Sequence, residues 1–144
     1  MTIKASTALR NKLLDTAPLR TVFNLGQINI YAGAVPASGD DATGSSPILI
    51  VKNGATGLTF EAAAVNGALP KKSTETWNGV ASATLTATYF RLVAPGDDNT
   101  ASQTQPRLQG SVAQSGADLN LTTIALQSGT TYPVDSFSVT LPTF

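Results

Sequence analysis

Two acidic clusters hold the residue types best suited to chemistry. Asp40-Asp41 and Asp97-Asp98-Asn99 each set adjacent oxygen donors in a turn-like context, and two such loops brought together would offer the oxygen ligands that calcium takes. The same residues near glycine are also ordinary turn formers, because their side chains bond nearby backbone and tolerate left-handed conformations. The spaced pattern of an EF-hand loop does not occur. Most other acids also sit in turn-like contexts. Glu61 and Glu75 are the exceptions, and the nine acids leave a carboxylate pair for glycoside hydrolysis open.

Other reaction classes lack their reagents. The 144-residue chain has neither histidine nor cysteine, which removes the commonest general base, the commonest zinc ligand, thiolate nucleophiles and any disulfide. A Ser-Lys or Thr-amine arrangement remains for nucleophilic catalysis, but neither Ser-x-x-Lys nor G-x-S-x-G is present. The expectation is a protein that is not an enzyme and that takes no cofactor and no metal. Asn120-Leu121-Thr122 matches the glycosylation triplet, which a Thr-rich chain produces by chance.

Nine basic residues balance nine acidic ones, and charged residues make up 12% of the chain, about half the usual share. A neutral, thinly charged surface carries no electrostatic footprint for nucleic acid or anionic lipid. It also meets other protein surfaces without long-range repulsion. The first twelve residues lack the apolar core of a signal peptide, and no run approaches the length of a membrane span. The product is expected to start life soluble in the cytoplasm, with no nucleic acid and no membrane as partner.

The elements that must position these residues are mostly strands. One helix is expected near the start, where Ser6 can cap it, Leu9, Leu13 and Leu14 recur on one side, and Pro18 forbids continuation. After Leu19 the pattern has period two. Ile28 and Ile30 share a face, and residues 47–51 form an apolar run suited to a strand buried on both sides. From residue 80 to 89, Ala81, Ala83, Leu85, Ala87 and Tyr89 line one face of a long predicted strand, and at Phe90 the phase flips. Such a slip suggests a β-bulge that bends the strand between two sheets. Leu119 and Leu121 followed by Ile124 and Leu126 repeat the change of phase, and Phe137, Val139 and Leu141 form a final strand. Turn signals stand at Asn78-Gly79, Pro95-Gly96, Ser115-Gly116 and Ser128-Gly129, and residues 35–46 and 96–104 read as flexible loops. The sum is an all-β chain: a jelly-roll-like antiparallel β-sandwich over residues 19–144, preceded by an N-terminal arm with a short helix over residues 1–18.

Two segments are candidate protein contacts. A two-residue turn at Asn78-Gly79 would set Trp77 opposite Val80 on the outer face near a hairpin tip, where aromatics anchor partners; the alternative is that Trp77 caps the end of the sandwich beneath a loop. A helix this short is marginal alone. Leu9, Leu13 and Leu14 must therefore be buried, either on their own sandwich or against a neighbouring subunit.

Several stretches carry a resemblance. Ser6-Thr7-Ala8-Leu9-Arg10-Asn11, Ile30-Tyr31-Ala32-Gly33, Pro36-Ala37-Ser38 and Tyr89-Phe90-Arg91-Leu92 are of this kind, as are Gly110-Ser111-Val112, residues 115–121 and Val134-Asp135-Ser136-Phe137. Together they make the chain similar, over nearly its whole length, to small tailed-phage virion proteins of the capsid cement or decoration type, such as the jelly-roll cement protein of a short-tailed phage. The segment from Pro70 to Trp77, with Lys71, Lys72 and Glu75, departs from that pattern. The resemblance implies a bacteriophage structural protein on the capsid surface of the virion, with the major capsid protein as partner. It also implies homodimers that bridge neighbouring capsomers of an HK97-type shell. The competing expectation is a tail- or fibre-associated β module that binds a host receptor or glycan through its polar loops.

Overall fold

The computed structural model describes residues 3–141. After a two-residue strand β1 (Lys4–Ala5), Ser6 turns the chain into helix α1 (Thr7–Asp15), its Oγ accepting the Leu9 N–H at 3.2 Å. The helix ends where Thr16 and Ala17 both donate to the Lys12 carbonyl, and Pro18 opens the single turn α2 (Leu19–Val22). Leu9 lies in the main core, so the N-terminal segment packs on the sheet structure that follows it.

That structure is all-β and antiparallel in every pairing but one. Its strands are β2 (Gln27–Tyr31), β3 (Leu49–Asn53), β4 (Ala68–Pro70), β5 (Trp77–Val80), β6 (Leu85–Thr86), β7 (Tyr89–Val93), β8 (Arg107–Ala113), β9 (Leu119–Asn120), β10 (Ala125–Leu126), β11 (Thr131–Val134) and β12 (Ser138–Thr140). The large sheet runs β1-β8-β7-β2-β3-β5-β11, with β9 parallel to β8, while β6 with β10 and β4 with β12 form two small ladders. The sheet bends at β3, which gives Leu49–Val51 to β2 and passes Lys52 and Asn53 to β5. Its two walls enclose one core: Phe90 of β7 meets Phe137 edge-on at 5.5 Å, and Phe137 lies 6.2 Å from Trp77 of β5. The result is a β-sandwich with a short helix at its N-terminal side.

Several expectations need correction. Asn78-Gly79 is not a turn but lies inside β5, paired with Pro133 and Tyr132 of β11. Glycine is needed there for proximity, since a Cβ on Gly79 would stand 2.1 Å from the Ile50 carbonyl oxygen. The long strand from residue 80 to 89 is broken. Ala81 and Ala87 are buried as the alternation requires, but Leu85 is half exposed on the β6–β10 ladder. No bulge occurs at Phe90, because β7 keeps unbroken register with β2 and β8 over all five residues. The change of phase read at Phe90 reflects burial of β7 on both faces. The shift after Leu121 arises where the chain leaves β9 beside β8 and crosses to β10 beside β6. Gly96, Gly116 and Gly129 do sit at positive φ in turns.

Candidate functional site

The predicted contact residues separate in the structure. Leu9 is 0% exposed and Trp77 is 1% exposed. Trp77 therefore does not lie on the outer face at a hairpin tip: it packs edge-on against Phe60 at 5.5 Å, and its Nε1 donates to Glu75 Oε2 at 2.7 Å. Leu13 and Leu14 face outward, Leu14 at 85% exposure. Leu13 stands one turn beyond Leu9 on the same helix face, so burial along that face fades after the first turn of α1. Leu13 lines a groove of about 470 Å³ together with Pro18, Leu19, Leu69, Val139 and Leu141. Among the described residues Arg20 is the one charged residue on its lining.

Glu61 and Glu75 are both held below the usual carboxylate range. Burial pushes the Glu75 carboxyl up, but hydrogen bonds from Thr59 Oγ, Thr59 N and Trp77 Nε1 outweigh it and hold the group below the usual range. Glu61 is lowered as well, by the Ser73 backbone N–H first. A general acid needs the opposite shift.

A second site went unread in the sequence. Three aligned rows of side chains stand on one face of β2, β7 and β8: Tyr31 beside Tyr89 and Ser111, Asn29 beside Arg91 and Gln109, and Gln27 beside Val93 and Arg107. Asn29, Arg91, Arg107 and Gln109 are fully buried. The loops over residues 33–46 and 94–106 cover them, so this face is dry although its residues are polar. The sheet binds the first loop through its carbonyls. Gln109 Nε2 donates to Pro36 O at 2.8 Å, Lys4 Nζ to Ala37 O at 2.8 Å, Arg91 Nη2 to Ser38 O at 3.1 Å and Arg107 Nη1 to Gly39 O at 3.3 Å. Tyr89 donates its hydroxyl to Thr43 O at 3.2 Å.

The second loop is held by charge. Arg107 pairs with Asp97, its Nε 2.6 Å from Oδ2 and its Nη2 3.1 Å from Oδ1. Asn99, in the left-handed region at φ 63°, turns its Oδ1 to accept from the Tyr31 hydroxyl at 2.6 Å and from Asn29 Nδ2 at 3.3 Å. Burial pushes the Tyr31 phenol up to about 12, so it stays a hydrogen-bond donor across the physiological range. The loops also clasp each other, Ser102 N donating to Asp40 O at 2.8 Å. These loops are therefore fixed in place by their bonds, against the expectation that they are flexible.

Arg91 differs from its neighbour. Its Nε donates to Gln109 Oε1 at 2.9 Å, yet Nη1 is buried without a partner and no carboxylate lies against the guanidinium among the described ion pairs. Burial, and then the charge of Arg107, pull its pKa down.

The two acidic clusters do converge, but their carboxylates are engaged. Asp97 takes Arg107, Asp98 takes Thr100, Asp40 takes Thr7 N and Oγ at 2.8 and 2.6 Å, and Asp41 takes Ser38 N. Among the described residues no three groups of metal-ligating type come together. Nor is any helix among them long and apolar enough to cross a membrane. Sequence inspection could have flagged the layer from the strict alternation of Arg107, Gln109 and Ser111 with Leu108, Gly110 and Val112. Nothing in that pattern says whether water or a loop covers the polar side. No family model matches the chain, no curated protein matches it and no solved structure matches it.

Proposed function

We propose that this chain is a structural virion protein that does no chemistry. On this reading it is a jelly-roll-like module that binds the major capsid protein on the outer surface of an HK97-type capsid, as homodimers, and cements neighbouring capsomers. The observation that carries the reading is the outward turn of α1. Leu9 anchors the helix in the core, Leu13 lines an apolar groove and Leu14 projects into solvent. Apolar surface held out in this way marks a site of protein contact. The resemblance of the chain, over nearly its whole length, to small tailed-phage virion proteins supports the same reading, and so does the zero net charge.

Cementing asks for a body that buries surface on two neighbours at once, since modest contacts then multiply through effective concentration. Loops pinned by a buried polar layer suit that task, because little ordering entropy is lost on docking. The test is to count copies in purified particles and to add the purified protein back to particles that lack it. Hundreds of copies, and particles that resist heat only when the protein is present, are expected. A handful of copies per particle would place it in the tail, and unaltered heat resistance would sink the cement reading.

A further inference from the structure

The small ladder of β4 and β12 leaves one backbone edge open. Lys71 N donates to Phe137 O at 2.8 Å and Leu141 N to Gly67 O at 3.1 Å, with Val139 opposite Leu69 between them. In an antiparallel ladder, residues bonded to the partner alternate with residues whose N–H and C=O point to the other side. Phe137, Val139 and Leu141 thus use their backbone groups on β4, and Ser138 and Thr140 aim theirs away from it. Pro70, opposite Ser138, has no N–H to give, and its carbonyl accepts from Glu61 N at 3.0 Å, in keeping with that alternation. Among the described residues no backbone bond reaches Ser138 or Thr140 from the open side.

This edge looks into a groove of about 770 Å³. Ser136, Ser138 and Thr140 line one wall, and Ala117, Asp118 and Asn120 the other. Among the described residues Asp118 is the only charged one on the lining. Its Oδ2 accepts from Ser111 N and Oγ at 2.8 and 2.9 Å, which leaves Oδ1 turned to no partner among the described residues.

The edge of β11 shows what a protected strand looks like here. Ala81 N bonds Thr130 O, so Tyr132 and Val134 face β5 and Pro133 faces outward, where it offers no N–H. Proline on an exposed edge blocks strand addition. On β12 neither a proline nor a lysine does so.

We propose that the groove receives an extended peptide segment of a partner protein, added as a strand along β12, with a lysine or arginine side chain reaching Asp118. Alternating N–H and C=O groups repeat about every 7 Å along such an edge, a spacing that another strand matches residue for residue. A glycan would meet the hydroxyls but not that repeat, and the aromatic ring at the site, Phe137, is buried beneath the edge and offers no stacking face. The inference does not rest on the capsid reading and holds for any partner that carries such a segment.

The test uses the full chain and an acetylated Thr-Val-Lys-Val-Thr peptide at millimolar concentration, read by amide NMR. The Ser138 and Thr140 amide signals are expected to move and their hydrogen exchange to slow by about tenfold or more. A peptide N-methylated on its pairing edge should leave them unchanged, and replacing its lysine by glutamate should weaken binding several-fold. Ser138→Pro should fold, because β4 does not use the Ser138 N–H, and should no longer respond. If that variant misfolds, the N-methylated peptide carries the test by itself. An absent response at these amides, or an equal response to the N-methylated peptide, overturns the proposal. Protection of the same amides that rises with protein concentration before any peptide is added assigns the edge to a second copy instead. A response to an oligosaccharide but not to the peptide overturns it too.

Discussion

Arg91 and Arg107 occupy the same buried layer but should respond differently to replacement. Arg107→Met strands the Asp97 carboxylate, whose side chain is 2% exposed, and loss of one partner of a buried pair costs about 3 kcal/mol or more. Arg91→Met removes a charge that has no ion-pair partner among the described residues, so the lost hydrogen bonds to Gln109 and Ser38 are offset by relief of desolvation, and a net cost of about 1 kcal/mol or less is expected. Urea unfolding of the two variants would check this. Equal losses would mean that the charge of Arg91 is balanced by a group outside the layer. Asp40 gives the layer a pH dependence. Burial raises its pKa, but the bonds from Thr7 and the charges of Arg10 and Arg107 outweigh burial and leave the folded value lowered. A carboxyl with a depressed folded pKa contributes stability above its unfolded value, about 3.9, and loses that contribution as pH falls through the folded value. Stability should therefore decline more gently below about pH 4 in Asp40→Asn than in the parent, as measured by urea midpoints at pH 7 and pH 3.

Elements impose demands that single residues do not reveal. Ser6 ends β1 and begins α1, and its buried hydroxyl accepts from Leu9 N and Arg107 N while donating to Gln105 O at 3.1 Å. Ser6→Ala is expected to cost about 2 kcal/mol, the upper end for a helix cap, because a sheet bond is lost with it. Gly79→Ala should cost more than the usual strand substitution, since the Ile50 carbonyl occupies the place of the methyl; a shift of the β3–β5 ladder in amide exchange would report it. The strands around Ile28, Ile30, Phe90 and Leu92 were legible, because period-two alternation survives any topology. Ser6 and Pro18 likewise marked the helix correctly. Trp77 was not legible. Asn-Gly is the strongest short-range hairpin signal, and only the neighbouring strand shows that this glycine yields room to a carbonyl. The buried layer of Arg91 and Gln109 was not legible for a related reason, since alternation with apolar residues identifies two faces but not what covers each.

At the scale of the molecule, the helix links stability and docking, and the two can be separated by residue. Leu9→Ala opens a hole in the core and should cost about 2–5 kcal/mol. Leu14→Asp alters a side chain that water already surrounds, so its unfolding midpoint should stay within about 0.5 kcal/mol of the parent. On particles it should weaken binding by about tenfold. Binding equal to the parent would remove the helix from the interface. Removing residues 1–17 as a block would confound the two effects, since it takes the core anchor Leu9 and the Ser6 clasp along with Leu14.

The pairing of β1 with β8 also sets a timetable for the newborn chain. Lys4 and Ala5 wait for Gln109 and Leu108, and the Ser6 hydroxyl waits for the amide of Arg107. At ribosomal speeds of about 5–20 residues per second, the first helix emerges roughly 5–20 s before the strand that receives it. During that interval Leu9 has no core to enter, and with Leu13 one turn on it forms an uncovered apolar face of the helix. A chaperone that binds short apolar helices should therefore capture the nascent chain early and release it once β8 has left the exit tunnel.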